Sequence, residues 1–128
     1  MMDRIDAELE LIRSQYPRLE FREEDFWARI PDYPVPPGWT VTEAEVAFQV
    51  PRDFFGQEPY GFWVHPVLAL PDGGAPTNTS GPVQTGFGEG FQQFSWAPEE
   101  WRPGPEPLAG TNLLDWVRSF GRRLKELN

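Results

Sequence analysis

Fifteen prolines interrupt this chain of 128 residues. Each removes a backbone donor and fixes φ, so regular elements must fit between prolines or end on them. Helical periodicity survives in two segments. From residue 3 to 16, Ile5, Leu9, Ile12 and Tyr16 recur at i, i+4, i+7 and i+11, one apolar stripe of an amphipathic helix, and Pro17 stops it. Toward the other end Leu113, Val117, Phe120, Leu124 and Leu127 repeat that spacing and extend it to i+14, with Asn112 and Asp115 placed to cap the helix. Gly121 weakens this second helix by about 1 kcal/mol.

Between the helices the period changes to two. From Asp25 to Ile30, the residues Phe26, Ala28 and Ile30 alternate with Asp25, Trp27 and Arg29, as a half-buried strand requires. Pro31, Pro34, Pro36, Pro37 and Gly38 break the chain before a second strand, Val41 to Val50, in which Ala44, Val46, Phe48 and Val50 face one way and Glu43, Glu45 and Gln49 the other. A turn containing Pro51, Gly56 and Pro59 leads to a third, Tyr60 to Leu70, with Phe62, Val64, Leu68 and Leu70 opposite Trp63 and His65. Pro66 there marks an edge or a break. Residues 71–90 hold six glycines and three prolines and read as a long loop or flap with little regular structure. Phe91 to Trp96 reads as a short strand or a site segment, and residues 97–110 are again proline-rich. The fold class is α+β, and no internal repeat is visible. With 39% hydrophobic and 15% aromatic residues, one domain over residues 1–128 is expected to form a core.

Charge and residue inventory narrow the function classes. The net charge of −9 repels phosphates, so nucleic acid is not an expected partner. No run approaches a membrane span, and Met1 to Asp6 lacks the pattern of a signal peptide, so a cytoplasmic chain without a membrane partner is expected. The charge divides as −3 over residues 1–30, −8 over 31–110 and +2 over 111–128. Arg118, Arg122 and Lys125 share one face of the last helix, where they complement its dipole. On the first helix Asp3, Asp6, Glu8 and Glu10 stand against Arg4 and Arg13, the pattern of a solvated face or of a docking surface.

No cysteine is present and only one histidine, which removes disulfides, thiolate ligands, a cysteine nucleophile and multi-histidine metal sites. No metal or cofactor is expected, and GFGEG at Gly86 to Gly90 lacks the spacing and the following helix of a dinucleotide loop. His65, beside Trp63, reads either as a hydrogen-bonded residue at the sheet rim or as an acid or base. Covalent chemistry would fall to a hydroxyl needing activation. Ser95, between Phe94 and Trp96, is the best-placed candidate nucleophile, the alternative being a turn serine bonded to local backbone. Ser80 is a lesser candidate.

The order helix, antiparallel meander, long irregular segment, W-x-P step and closing helix resembles the ubiquitin-conjugating-enzyme fold over nearly the whole chain. In detail the sequence is similar to the bacterial E-type family of that superfamily. The stretches carrying the resemblance are PVPPGWTVTEAEVAFQVP (34–51), YGFWVHPVLAL with PDGGAP (60–76), and FQQFSW followed by EEWRPG and LLDWVRSFGRRLKEL. The resemblance implies a ubiquitin-activating-like enzyme and a ubiquitin-like protein as partners, with a JAB-type peptidase in the same pathway. It places Ser95 where ordinary members carry a nucleophilic Cys, shortly before Trp101, Arg102 and Pro103, with Trp96, Trp101 and Pro103 supporting the site. An ester on Ser95 would then replace the usual thioester. The chain departs from the superfamily pattern at His65, Pro66 and Val67, where the third position ordinarily supplies an amide, and at Trp96 and Ala97, where a His tends to follow. The acidic first helix, through Asp3, Asp6 and Glu10, implies a partner of reversed polarity. Three functions are compatible: an ester-forming conjugating enzyme, a non-catalytic adaptor of the same fold, and an unrelated α+β interaction module.

Overall fold

A computed structural model describes residues 4–39, 41–51, 58–70, 73–74, 76–98 and 100–126. Among them, helix α1 (Arg4–Arg13) and helix α2 (Leu113–Lys125) flank six strands: β1 (Glu20–Arg22), β2 (Trp27–Pro34), β3 (Glu43–Gln49), β4 (Phe62–His65), β5 (Thr79–Thr85) and β6 (Gly88–Phe94). The strands form one antiparallel sheet in the order β1-β2-β3-β4-β6-β5. This is the α+β architecture expected from the sequence.

Register follows the hydrophobic alternation. Ala28 pairs with Phe48, Ile30 with Val46, Val46 with Val64, and Phe62 with Phe94, which puts every one of these buried side chains on the same face. The helices pack on that face. Phe120 of α2 is the centre, stacked on Phe62 at 4.3 Å and edge-on to Phe48 and Trp116 at 5.9 and 5.0 Å. From α1, Leu9 and Ile12 enter the same cluster.

Three side chains tie α2 down along its length. Asn112 is the N-cap, its Oδ1 accepting the Asp115 N–H at 2.9 Å, as its position suggested. The Tyr33 hydroxyl donates to Val117 O at 2.6 Å and accepts the Gly121 N–H at 3.0 Å, bridging two groups that bond to each other in a regular helix. The Trp39 indole donates to Leu124 O at 2.8 Å. Leu127, the last member of the apolar stripe, lies outside the described residues.

Several boundaries differ from the sequence reading. Strand β2 does not stop at Ile30 but runs through Pro31 to Pro34, with a register irregularity between Ile30 and Tyr33 that accommodates a residue without an N–H. The third strand shortens to Phe62–His65, and beyond Pro66 the chain is held by the buried Gln92 amide, which accepts from Leu68 N and donates to Leu68 O. Glu8 is no part of a solvated face: it is fully buried.

The largest correction concerns residues 71–90. From Thr79 on they are not an irregular flap, since β5 and the start of β6 make an ordered hairpin there. Pro82 is tolerated because β5 is an edge strand and its pairing is irregular between Ser80 and Val83, the stretch that contains it. The hairpin tip reaches back over the face of the sheet remote from the helices. Gly86 lies so close to Trp27 that a Cβ would come within 2.4 Å of the indole. Arg22 donates to Gly86 O at 2.6 Å, and the Arg29 guanidinium sits 4.8 Å from the Phe87 ring centre. Trp27 and Trp63 meet edge to face at 4.8 Å beneath.

Candidate active site

Ser95 is placed by the end of β6. Phe94 before it is fully buried, stacked on Phe62 at 4.9 Å with the Arg123 guanidinium 5.1 Å from its ring centre. The chain leaves the sheet at Ser95, whose own N–H donates to Asn78 O at 2.9 Å. One residue on, Trp96 O accepts from Gly61 N at 2.8 Å. Backbone bonds to the two neighbouring segments therefore fix Ser95 on both sides while its side chain is exposed.

Trp96 turns inward. Its indole donates to Ser119 Oγ at 2.9 Å, and that hydroxyl donates to Trp116 O at 2.6 Å, so α2 supports the residue following Ser95. Trp101 packs against the core and, with Pro98, Trp116 and Ser119, lines a groove of about 180 Å³. Arg102 and Thr111 close the loop containing Pro103: Arg102 N donates to Thr111 Oγ1 at 2.6 Å and Thr111 N to Arg102 O at 3.1 Å. A Cβ on Gly110 would stand 2.4 Å from Arg102 O, so this closure requires glycine there. Gly104 O accepts from Arg4 at 2.8 Å, which anchors the same loop to α1.

His65 lies elsewhere. Phe62 pairs with Phe94, which sets Ser95 across from Gly61 and leaves His65 four residues further along β4, about 13 Å away at the strand rise. Its ring lies 5.3 Å from Phe91 and it pairs across β3 with Glu45. The structure thus does not bring His65 and Ser95 together. Ser80 is exposed on β5, paired with Gln93. On α1, Asp6 and Glu10 are exposed, Glu10 paired with Arg13 at 3.0 Å, and Asp3 lies outside the described residues.

Two residues matter to the site's frame, one that the sequence placed on a solvated face and one that it did not single out. The buried Glu8 carboxylate accepts the Leu113 N–H at 2.7 Å and pairs with Arg4 at 2.8 Å, giving α2 an anionic N-terminal partner. Its signal was available, since position 8 lies three residues from Ile5 and four from Ile12, beside the apolar stripe. Asn78 is the other, directly beside Ser95 and in a left-handed conformation with φ of 57°. Among the described residues no group of three His, Cys, Asp or Glu is arranged to hold a metal ion.

Residues 6–116 match the family described as prokaryotic E2 family E. The chain belongs to that family. It is therefore a ubiquitin-conjugating-enzyme-like component of a conjugation pathway, a class that works with an activating enzyme and a ubiquitin-like protein, and the reading as an unrelated module is set aside. No curated protein and no solved structure was found to match. The matched region contains Ser95, Trp96, Trp101 and Pro103 together with most of α1 and the first turn of α2. No helix among the described residues is long and apolar enough to cross a membrane.

Proposed function

We propose that this chain receives the C-terminus of a ubiquitin-like protein on Ser95, as an ester, from the thioester held by an activating-like enzyme. Ser95 Oγ attacks the thioester carbonyl, the C–O bond forms as the C–S bond breaks, and the hydroxyl proton leaves with the departing thiol. No oxidant or cofactor enters. The supporting observation is an exposed serine at the end of a buried strand, pinned by backbone bonds on both sides and followed by a tryptophan locked to α2. Such a frame fixes the backbone that carries the attacking oxygen, and positioning of the reacting groups is a large part of the rate in acyl transfer. An ester resists aminolysis better than a thioester, so the product is a longer-lived carrier. A JAB-type peptidase belongs to the same cytoplasmic pathway in this reading.

The second reading is an adaptor that positions the same partners without chemistry. What favours it is the absence of cysteine together with the distance from Ser95 to His65. Intact-mass analysis after incubation with the activating-like enzyme, the ubiquitin-like protein and ATP separates the two. One added ubiquitin-like unit, stable to thiol reductant, cleaved by mild hydroxide and missing in Ser95→Ala, supports the ester. A stable complex without any adduct leaves the adaptor.

A further inference from the structure

Away from Ser95, an open groove of about 320 Å³ lies between α2 and the end of β2, a size at which ligand sites begin. Its floor is aromatic and proline-rich. Tyr16 and Tyr33 stack there at 5.4 Å, nearly parallel at 9°, and Pro34 and Pro36 continue the apolar surface. The Tyr33 ring is held in place by its hydroxyl, bonded to Val117 O and Gly121 N of α2, so the groove is preformed. Among the described residues, none of Ser95, Trp96, Trp101 and Pro103 lines it.

The rim carries one sign of charge. Arg118 and Lys125, both exposed, are the charged residues that line the groove, and neither makes a hydrogen bond or an ion pair among the described residues. Elsewhere Arg4, Arg13, Arg29 and Arg102 each lie within 3.0 Å of a carboxylate, as the acid excess of a chain with net charge −9 makes easy. Two cations left open beside an apolar floor complement an anionic partner that also has apolar surface.

Gly121 lies between them. Positions 118, 121 and 125 follow the i, i+3, i+7 spacing and share one face of α2. Glycine is unfavourable in a helix interior, and packing does not call for it here. Among the described residues an added Cβ would meet only the Tyr33 hydroxyl, at 3.6 Å, an ordinary contact. What a side chain would take away is the depth of the groove that Gly121 lines.

The span between the cations selects the occupant. Seven helical residues put Arg118 and Lys125 about 10 Å apart along the axis. In an extended polyproline-type segment, residues i and i+3 share one face about 9 Å apart, so two carboxylates at that spacing meet both cations while a residue between them rests on the tyrosine and proline floor. A nucleic acid would set a long run of phosphates against the overall negative charge, whereas a short acidic segment brings two charges only. We propose that this groove binds an extended acidic segment of a protein partner, with Asp or Glu at i and i+3 and apolar residues between. The site does not depend on the reading of Ser95.

Fluorescence anisotropy with a labelled peptide centred on Asp-Leu-Pro-Glu tests this on the whole chain, without activating-like enzyme or ATP. Saturable binding is expected. Changing the peptide acids to Asn and Gln, or the cations by Arg118→Gln together with Lys125→Gln, is expected to weaken it about five- to thirty-fold. Arg102→Gln with Arg122→Gln removes the same charge outside the groove and is expected to change affinity by less than about twofold, since salt screens distant charges. Gly121→Leu keeps the charge and fills the groove. It is expected to weaken binding about tenfold or more without lowering the unfolding midpoint, leucine being the better helix former. Absence of saturable binding, equal affinity for the Asn and Gln peptide, undiminished binding by Gly121→Leu, or an equal loss in the Arg102 and Arg122 variant overturns the proposal. A single-stranded DNA oligomer that displaces the peptide at equal concentration overturns it in favour of nucleic acid.

Discussion

At the scale of single residues, two polar groups inside the apolar layer hold the helices in place. Glu8 is fully buried, and both its oxygens are used, one by the first residue of α2 and one by Arg4. A carboxylate left alone at that position would be costly, whereas paired and facing a helix N-terminus it links α1, α2 and, through Arg4, the loop at Gly104. Tyr33 plays the matching part on the opposite side of α2. Burial pushes its hydroxyl pKa well above the ordinary tyrosine value, so the folded state keeps the proton that the unfolded chain loses above about pH 10. The unfolded state then binds fewer protons than the native state, and stability falls as pH rises. Urea midpoints are expected to decline above about pH 10, and the decline is expected to be shallower in Tyr33→Phe.

The elements show why proline and glycine content misleads in the middle of the chain. Residues 71–90 carry the turn-forming composition of a loop, yet β5 and β6 form there because the sheet edge needs only one side of β5 to pair and because glycines can bend the hairpin over the sheet. Gly81, Gly88 and Gly90 all have positive φ. The overhanging tip covers Trp27 and is held by Arg22 and Arg29 on the face away from the helices. Gly86→Ala should push the tip off Trp27, given the 2.4 Å approach of its Cβ to the indole. The expected loss is about 1–3 kcal/mol of stability, read by urea unfolding, with faster hydrogen exchange confined to the hairpin amides.

For the whole molecule, charge sets how it meets its partners. A net charge of −9 steers association toward basic surfaces, and the exposed Asp6 and Glu10 on α1 are the expected contacts with the activating-like enzyme. Reversing both, Asp6→Lys with Glu10→Lys, is expected to weaken that complex about five- to thirty-fold at low salt, from roughly 0.5–1 kcal/mol per exposed charge. Titration calorimetry at low and high salt checks this: the difference between wild type and variant should shrink as salt screens the charges. Equal affinities at low salt would remove α1 from the interface.

Local periodicity determined a good deal. The stripes of both helices up to Ile12 and Leu124, the inward faces of β2 and β3 and the Asn112 cap follow from spacing alone, because each depends on residues within a few turns or one strand of one another, whereas Tyr16 lies beyond the end of α1. Ordered motifs spread along the chain were enough to indicate the family. Distance in sequence is what hid the rest. The pairing of β4 with β6 across the β5 hairpin, the burial of Glu8 against a helix that begins 105 residues later and the insertion of Tyr33 into α2 all join segments whose local sequences carry no mark of each other. The same holds at the candidate site. Ser95 was singled out from its neighbours in the chain, but its separation from His65 and its pairing with Asn78 arise from strand register, which only the assembled sheet decides.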